Sequence, residues 1–230
     1  MKIHLWVNLI MGRKEKREYS NVFSFIDLLI FIMKQVSYMK ILIDAGHGKN
    51  TPGKRSPNGV FREWAWNKDV AEKIVETLQY KGYDALLINP EETDVPLSER
   101  VRRVNQYGKN SILVSIHVNA LGNGTQWMTA RKWSIWTTKG KTKSDTLATY
   151  IFNEAEKKWG KDHVRKDMSD GDVDYEKNFT VLYKTICPAV LIENFFMDNK
   201  EDYEYLCSPN SIYECTDVAV KGIIKYLENN

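Results

Sequence analysis

Lys40–Gly48 reads KILIDAGHG, and this stretch decides the fold. Ile41, Leu42, Ile43 and Ala45 surround a single acid, Asp44, with no polar alternation, so the segment reads as a strand covered on both faces. A half-exposed strand would alternate. The run ends at Gly46-His47-Gly48, where two glycines permit a sharp turn and leave an imidazole at the carboxyl end of the strand. Open α/β sheets place their chemistry there. Alone, His47 is equally a turn residue and a ligand; only partners elsewhere in the chain decide between the two.

The same logic extends outward. After a Pro-, Gly-, Asn- and Lys-rich loop, KNTPGKRSPNGVFRE, the positions Val70, Ala71, Ile74, Val75 and Leu78 recur at helical spacing from Glu63, and Gly82 stands where a left-handed cap ends the helix. Ala85–Asn89 (ALLIN) is a second buried strand, and a helix follows from Pro96 with Ser98 as its candidate cap. Ile112–Val118 is a third strand, carrying His117 near its carboxyl end. Strand, helix, strand, helix implies parallel pairing with right-handed crossovers. The predicted architecture is α/β, a single domain with a mostly parallel central sheet flanked by helices on both faces.

Beyond Gly122 the pattern loosens. Trp127, Trp133 and Trp136 suit either an edge strand or a cleft wall, and aromatic side chains there either pack internally or stack on sugar rings. A helix begins at Ser144, with Leu147, Ile151 and Ala155 on one face, and stops near Gly160. The loop DMSDGDVDYE follows; its Asp167, Asp170, Asp172 and Asp174 lack calcium-loop spacing and read as a solvated face. Pro188–Asn194 (PAVLIEN) is the last strand, and it delivers Glu193 directly after four apolar residues. Glu is seldom buried unpaired, which makes Glu193 a site candidate. From Asp198 on, helices point Tyr205, Leu206, Val218, Ile223, Ile224 and Leu227 inward. His163 and His4 receive no role.

Composition bounds the function. A chain of 230 residues suffices for one substantial core. The net charge of +3 comes entirely from residues 1–38, with six basic and three acidic side chains; the remainder balances 27 against 27. No basic stripe advertises nucleic acid. Cys187, Cys207 and Cys215 are odd in number and lack paired spacing, so they read as buried free thiols. The apolar run Val22–Met33 is too short, and too interrupted by Asp27, to cross a bilayer, and the order of basic and apolar segments is not that of a signal peptide. Residues 1–38 thus form an extension of uncertain status, either a weakly anchored segment before a second start at Met39 or an amphipathic membrane-surface helix. Residues 39–230 form the main domain. No stable membrane insertion is expected.

Three strands therefore present His47, His117 and Glu193 at their carboxyl ends, and a helix start offers Glu63 nearby. Two imidazoles and a carboxylate are a common catalytic zinc set that leaves a coordination position for water. Taken alone, Glu63 serves equally well to complement its helix dipole. IDAGHG, E-x3-N at Glu63–Asn67, PLSERVRRVN at Pro96–Asn105, SIHVNA at Ser115–Ala120 and CPAVLIENFFMDN at Cys187–Asn199 together resemble the zinc-dependent N-acetylmuramoyl-L-alanine amidases of the amidase-3 type, from Met39 to the end of the chain. The resemblance implies Zn2+ held by His47, Glu63 and His117, with Glu193 as the catalytic carboxylate. It implies bacterial peptidoglycan as substrate, cut between the lactyl group of N-acetylmuramic acid and L-alanine of the stem peptide. It also implies action on the cell wall after synthesis in the cytoplasm, as a phage endolysin or a wall-remodelling enzyme, with no part of the chain set aside for separate wall binding. The basic loop after His47 and the Trp-containing stretch depart from the family's general motifs. A zinc peptidase acting within the stem peptide and a non-catalytic wall-binding module are the rival readings; a nucleotide-binding α/β protein is disfavoured because no G-x-G-x-x-G or P-loop pattern follows a strand.

Overall fold

In the computed structural model, which describes residues Met39–Asn230, KILIDA forms strand β1 (Lys40–Ala45), buried from Ile41 onward. The chain continues through α1 (Glu63–Tyr80), β2 (Ala85–Leu87), α2 (Leu97–Asn105), β3 (Ser111–Asn119), β4 (Ser134–Thr137), α3 (Lys143–Trp159), β5 (Tyr175–Glu176), α4 (Thr180–Tyr183), β6 (Ala189–Phe196), α5 (Lys200–Leu206) and α6 (Ser211–Asn229). One sheet results, in the order β2-β1-β3-β6-β4-β5. All neighbours are parallel except β4 and β6, which pair antiparallel. The extension read over residues 1–38, with its Val22–Met33 run, His4 and proposed second start, lies outside the described residues.

Alternation along each strand sorts the side chains into two layers. Ile41, Ile43, Ile112, Val114, Ile116, Val190 and Ile192 face α1, α3 and α6 in the larger core. Leu42, Leu113, Ala189 and Leu191 face the opposite way, against Val104 of α2 and Val181 and Leu182 of α4. Both faces of the central strands are covered, which is why they read as unbroken apolar runs. Each fully buried Ile, Leu or Val contributes about 1.5–3 kcal/mol of transfer free energy, so these three strands hold the sheet at the centre of the Met39–Asn230 domain. Among the described residues, no helix is long and apolar enough to cross a membrane.

Most helix boundaries follow the expected signals. Gly82 has φ 86°, and the N–H of Tyr83 returns to the Leu78 carbonyl at 3.0 Å, closing α1 through a backbone state that costs other residues more. Helix α3 starts one residue before Ser144, behind a reciprocal cap in which the Ser144 N–H donates to the Thr142 hydroxyl and the Thr142 N–H donates to Asp145.

Four expectations need correction. Ser98 caps nothing: α2 opens at Leu97 behind Pro96, whose carbonyl accepts the Glu99 and Arg100 N–H groups, because the proline ring already sets the entry angle. Cys207 is exposed, at the end of α5, while Cys187 and Cys215 are buried. Strand β6 runs on past Asn194 to Phe196, and Phe195 takes φ 65° where the register against β3 shifts before Phe196 pairs with Asn119. The acidic loop is not a solvated face throughout: Asp174 is 1% exposed and Asp172 half-buried, because the loop folds back on Thr137 and the start of α3. Of the tryptophans, Trp133 is fully buried against Phe152 and Trp159, so its role is core packing rather than cleft wall.

Candidate metal and catalytic centre

Strand register brings the first two candidates together. His117 on β3 pairs with Glu193 on β6, so the two side chains stand beside each other on one face of the sheet, at its carboxyl-terminal edge. His47 arrives from the neighbouring strand β1. Glu63, the first residue of α1, is fully buried beneath both imidazoles. Its Oε1 lies 3.3 Å from His47 Nε2 and 3.3 Å from His117 Nδ1, and the two rings stand edge to face with centroids 5.0 Å apart. The three residues offer donor atoms within 4.8 Å of one another. Glu193 lies outside that triplet, yet close enough to feel the Glu63 charge.

The glycines of the turn are there for space. A Cβ on Gly46 would sit 2.3 Å from the His117 ring, and one on Gly48 would sit 2.1 Å from the Asp94 backbone nitrogen. His47 itself takes φ 66°, a left-handed conformation that costs a non-glycine residue about 1–3 kcal/mol. That strain is held by Arg100. Its buried guanidinium donates to the carbonyls of Val95, Ala45 and His47 and to the carboxylates of Asp44 and Asp94, at 2.6–2.8 Å. Ser115 donates to the other Asp44 oxygen, and the Asn89 amide clamps both backbone groups of Ala45. The turn that carries His47 is thus fixed from below by one cation whose five N–H donors are all matched.

Around Glu63 the supports are equally local. The Val118 N–H donates to Oε1 at 3.2 Å, and the Asn67 amide, one helical turn along α1, bridges Gly46 O and Glu63. Oε2 is buried with no hydrogen-bond partner; the nearest positive charge is Lys54 Nζ, 3.9 Å away. Behind β3, Asn194 donates to the His117 carbonyl while accepting from Trp133 Nε1.

Electrostatics prepares the donor set. Burial by itself would raise the Glu63 carboxyl, but hydrogen bonds and charge from His117 and His47 hold it well below the ordinary range, so it is ionised. Burial lowers His47 despite its Glu63 contact, which keeps that imidazole neutral. An ionised carboxylate beside a neutral imidazole is the state that a divalent ion requires. Glu193 moves the other way: burial and the Glu63 charge push its carboxyl well above the carboxylate range, with Lys54 and Lys177 opposing.

Sequence reading named the four chemical groups but assigned no role to Arg100, Asn67 or Asn194. The signal for the first was Asp44, an acid inside a strand covered on both faces, which demands a buried counter-charge.

A family model described as N-acetylmuramoyl-L-alanine amidase, the amidase-3 family, matches residues 41–225. The endolysin of Bacillus phage SPP1 is 28% identical over 194 residues, covering 81% of this chain and 65% of that protein. The amidase AmiC of Neisseria meningitidis is 26% identical over 227 residues, covering 83% of this chain and 53% of its own. The chain therefore spans between about half and two thirds of the length of these curated relatives. Among solved structures, the N-acetylmuramoyl-L-alanine amidase from Clostridium difficile 630 aligns with a TM-score of 0.73 at 26% identity, over 84% of this chain and 99% of that one.

Proposed function

Because this chain belongs to the amidase-3 family of N-acetylmuramoyl-L-alanine amidases, we propose that it is a zinc-dependent hydrolase acting on bacterial peptidoglycan, cutting the amide that joins the lactyl group of N-acetylmuramic acid to L-alanine of the stem peptide. The observation that carries this reading is the Glu63 carboxylate. It is fully buried, it is shared between two imidazole nitrogens at 3.3 Å, and its second oxygen has no hydrogen-bond partner, only the distant Lys54 charge. A buried, ionised oxygen without a donor is costly unless something positive meets it. His47, Glu63 and His117 supply two nitrogens and one oxygen, a donor set suited to zinc with a position left open. When bound, the ion contributes Lewis acidity, polarising the amide carbonyl and lowering the pKa of water at the site.

The chain's own residues perform the rest. Glu193, beside His117 in register, accepts a proton from the attacking water and hands it to the departing amine. Burial and the Glu63 charge raise its proton affinity, which makes it a stronger acceptor for the water's proton than an exposed carboxylate. Asn67 and the Val118 N–H hold Glu63 in place, and Arg100 holds the His47 turn. These supports fix the ligand geometry before substrate arrives. The site of action in this reading is the cell wall.

Digestion of purified sacculi, with and without a chelator and followed by mass spectrometry of the new chain ends, tests the reading. Intact stem peptides with free alanine amino termini and glycan strands stripped of peptide are expected, abolished by chelation and restored by Zn2+. Cleavage inside the stem peptide would make the chain a peptidase. Wall binding without release, in zinc-replete buffer, would make it a binding module.

A further inference from the structure

A second group of carboxylates lies away from this centre. Asp145 in the first turn of α3, Asp172 in the loop and Asp174 just before β5 bring one oxygen each to within 4.8 Å of one another. Strand register gives their location. Strand β4 runs antiparallel to β6, with Ser134 opposite Glu193 and Trp136 opposite Leu191. Thr137, whose hydroxyl donates to Asp174 Oδ2 at 2.5 Å, therefore sits toward the end of the sheet opposite Glu193.

Asp174 is 1% exposed, and its Oδ1 is buried with no hydrogen-bond partner. The Oδ1 of Asp172 has no donor within hydrogen-bond reach either, and the Asp172 and Asp174 carboxyls lie close enough to share a proton, with the Asp174 backbone N–H approaching Asp172. The leading charges on these two acids are those of Asp145, Asp170 and each other, all of one sign. Asp145 accepts twice from Thr142, and as a carboxylate it has no donor to offer its neighbours. Surface acidic clusters need no explanation, because water screens them. Here two oxygens are shut away from water and face like charges, and only a proton or a cation relieves that.

We propose that Asp145, Asp172 and Asp174 form a second metal site, for a hard divalent cation of the calcium type, which ties the loop ahead of β5 to the start of α3. All three donors are carboxylate oxygens, a set that favours hard cations over the soft and borderline metals that prefer sulfur and nitrogen. Oxygens within 4.8 Å of one another fit around an ion that takes oxygen ligands at about 2.3–2.6 Å, and calcium tolerates an irregular shell. An adjoining cavity of about 710 Å³, lined among others by Asp145, Asp170, Asp172 and Glu176, gives entry and room for the waters that complete six to eight ligands. The loop order lacks the spacing of a helix-loop-helix calcium motif because the ligands come from three separate elements. The role is structural, since the cluster contributes nothing to the His47 centre.

The test uses the full chain loaded with zinc, at pH 8 and constant ionic strength, with CaCl2 followed by calorimetric titration and thermal melting. One calcium per chain is expected in addition to zinc, with a dissociation constant on the order of 10⁻⁴–10⁻³ M. Tenfold saturation should raise Tm by about 3–6 °C. Asp172→Asn and Asp174→Asn should each abolish both signals, and Asp167→Asn, in the same loop but outside the triplet, should keep them. Asp172 is only half-buried, so its variant reports even where Asp174→Asn folds poorly. Absence of saturable binding up to about 10 mM calcium overturns the proposal and leaves a shared proton holding the acids together. Binding retained in both Asn variants, or seen only after zinc is stripped, overturns it equally.

Discussion

Glu63 and Asp174 are buried to the same degree, 0% and 1% exposed, yet their acidities move in opposite directions. Burial raises both. Around Glu63 the imidazoles of His117 and His47 more than reverse that effect, and the carboxyl is ionised under any ordinary condition. Around Asp174 the neighbour is another acid, and the carboxyl rises to about 7 despite the Thr137 hydroxyl. Desolvation is thus common to the two regions, and the sign of the partner decides the outcome. A third buried acid, Asp44, meets a guanidinium on one oxygen and the Ser115 hydroxyl on the other, the arrangement in which a buried charge is fully answered.

The comparison can be broken at its most consequential point first. Glu193 stands next to the imidazole pair but, like Asp174, has its proton affinity raised by burial and a like charge. Glu193→Gln should lower kcat by about 10²–10⁴-fold while metal analysis still finds one zinc per chain; His117→Ala should lose the zinc itself. An active Gln variant, or a zinc-replete Ala variant, would remove the division of labour between ligand and proton carrier.

Arg100→Met sharpens the contrast in stability. It leaves Asp44 buried without its cation and frees the strained His47 turn, so denaturant unfolding should show a loss of about 3–5 kcal/mol. A change below about 1 kcal/mol would mean that the pair behaves as an exposed one.

Asp174 should mark the pH profile. Its folded-state pKa, about 7, lies above the ordinary value of 3.8, so its contribution to stability is full below about pH 4 and is lost as pH rises through about 7. In calcium-free buffer the loss should be on the order of 2–4 kcal/mol, and Asp174→Asn should flatten it. The same slope in the Asn variant would place its origin elsewhere. Smallest of all, Thr142→Ala removes the hydroxyl half of the cap on α3 and should cost about 1 kcal/mol in thermal melts, with part of the effect reaching Asp145 through the lost contact.

Much of this arrangement was legible before any coordinates. The unbroken apolar runs at Ile41, Ile112 and Val190 announced a sheet covered on both faces, and the two layers of core bear that out. His47, His117, Glu63 and Glu193 stood out because each lay at or near the carboxyl end of a strand or began a helix. Arg100 did not, because on a charged helix such as SERVRR its neighbours Arg102 and Arg103 look identical to it; those two pair with surface acids while Arg100 alone turns inward. The acidic loop misled for a related reason. A run of Asp and Gly reads as solvated whether it faces water or a neighbouring helix, and only the return of the chain to Thr137 tells them apart.

Residue order along the chain therefore determined the strands, their covered faces, and the kinds of chemical group delivered to the sheet's edge, because these depend on periodicity and on contacts a few residues apart. Tertiary structure alone decided that Glu193 pairs with His117, that Arg100 reaches Asp44, and that three aspartates from three elements meet. The first depends on strand register, where a shift of one residue in pairing would turn Glu193 to the other face; the other two depend on helices and a loop approaching strands and one another across long stretches of chain.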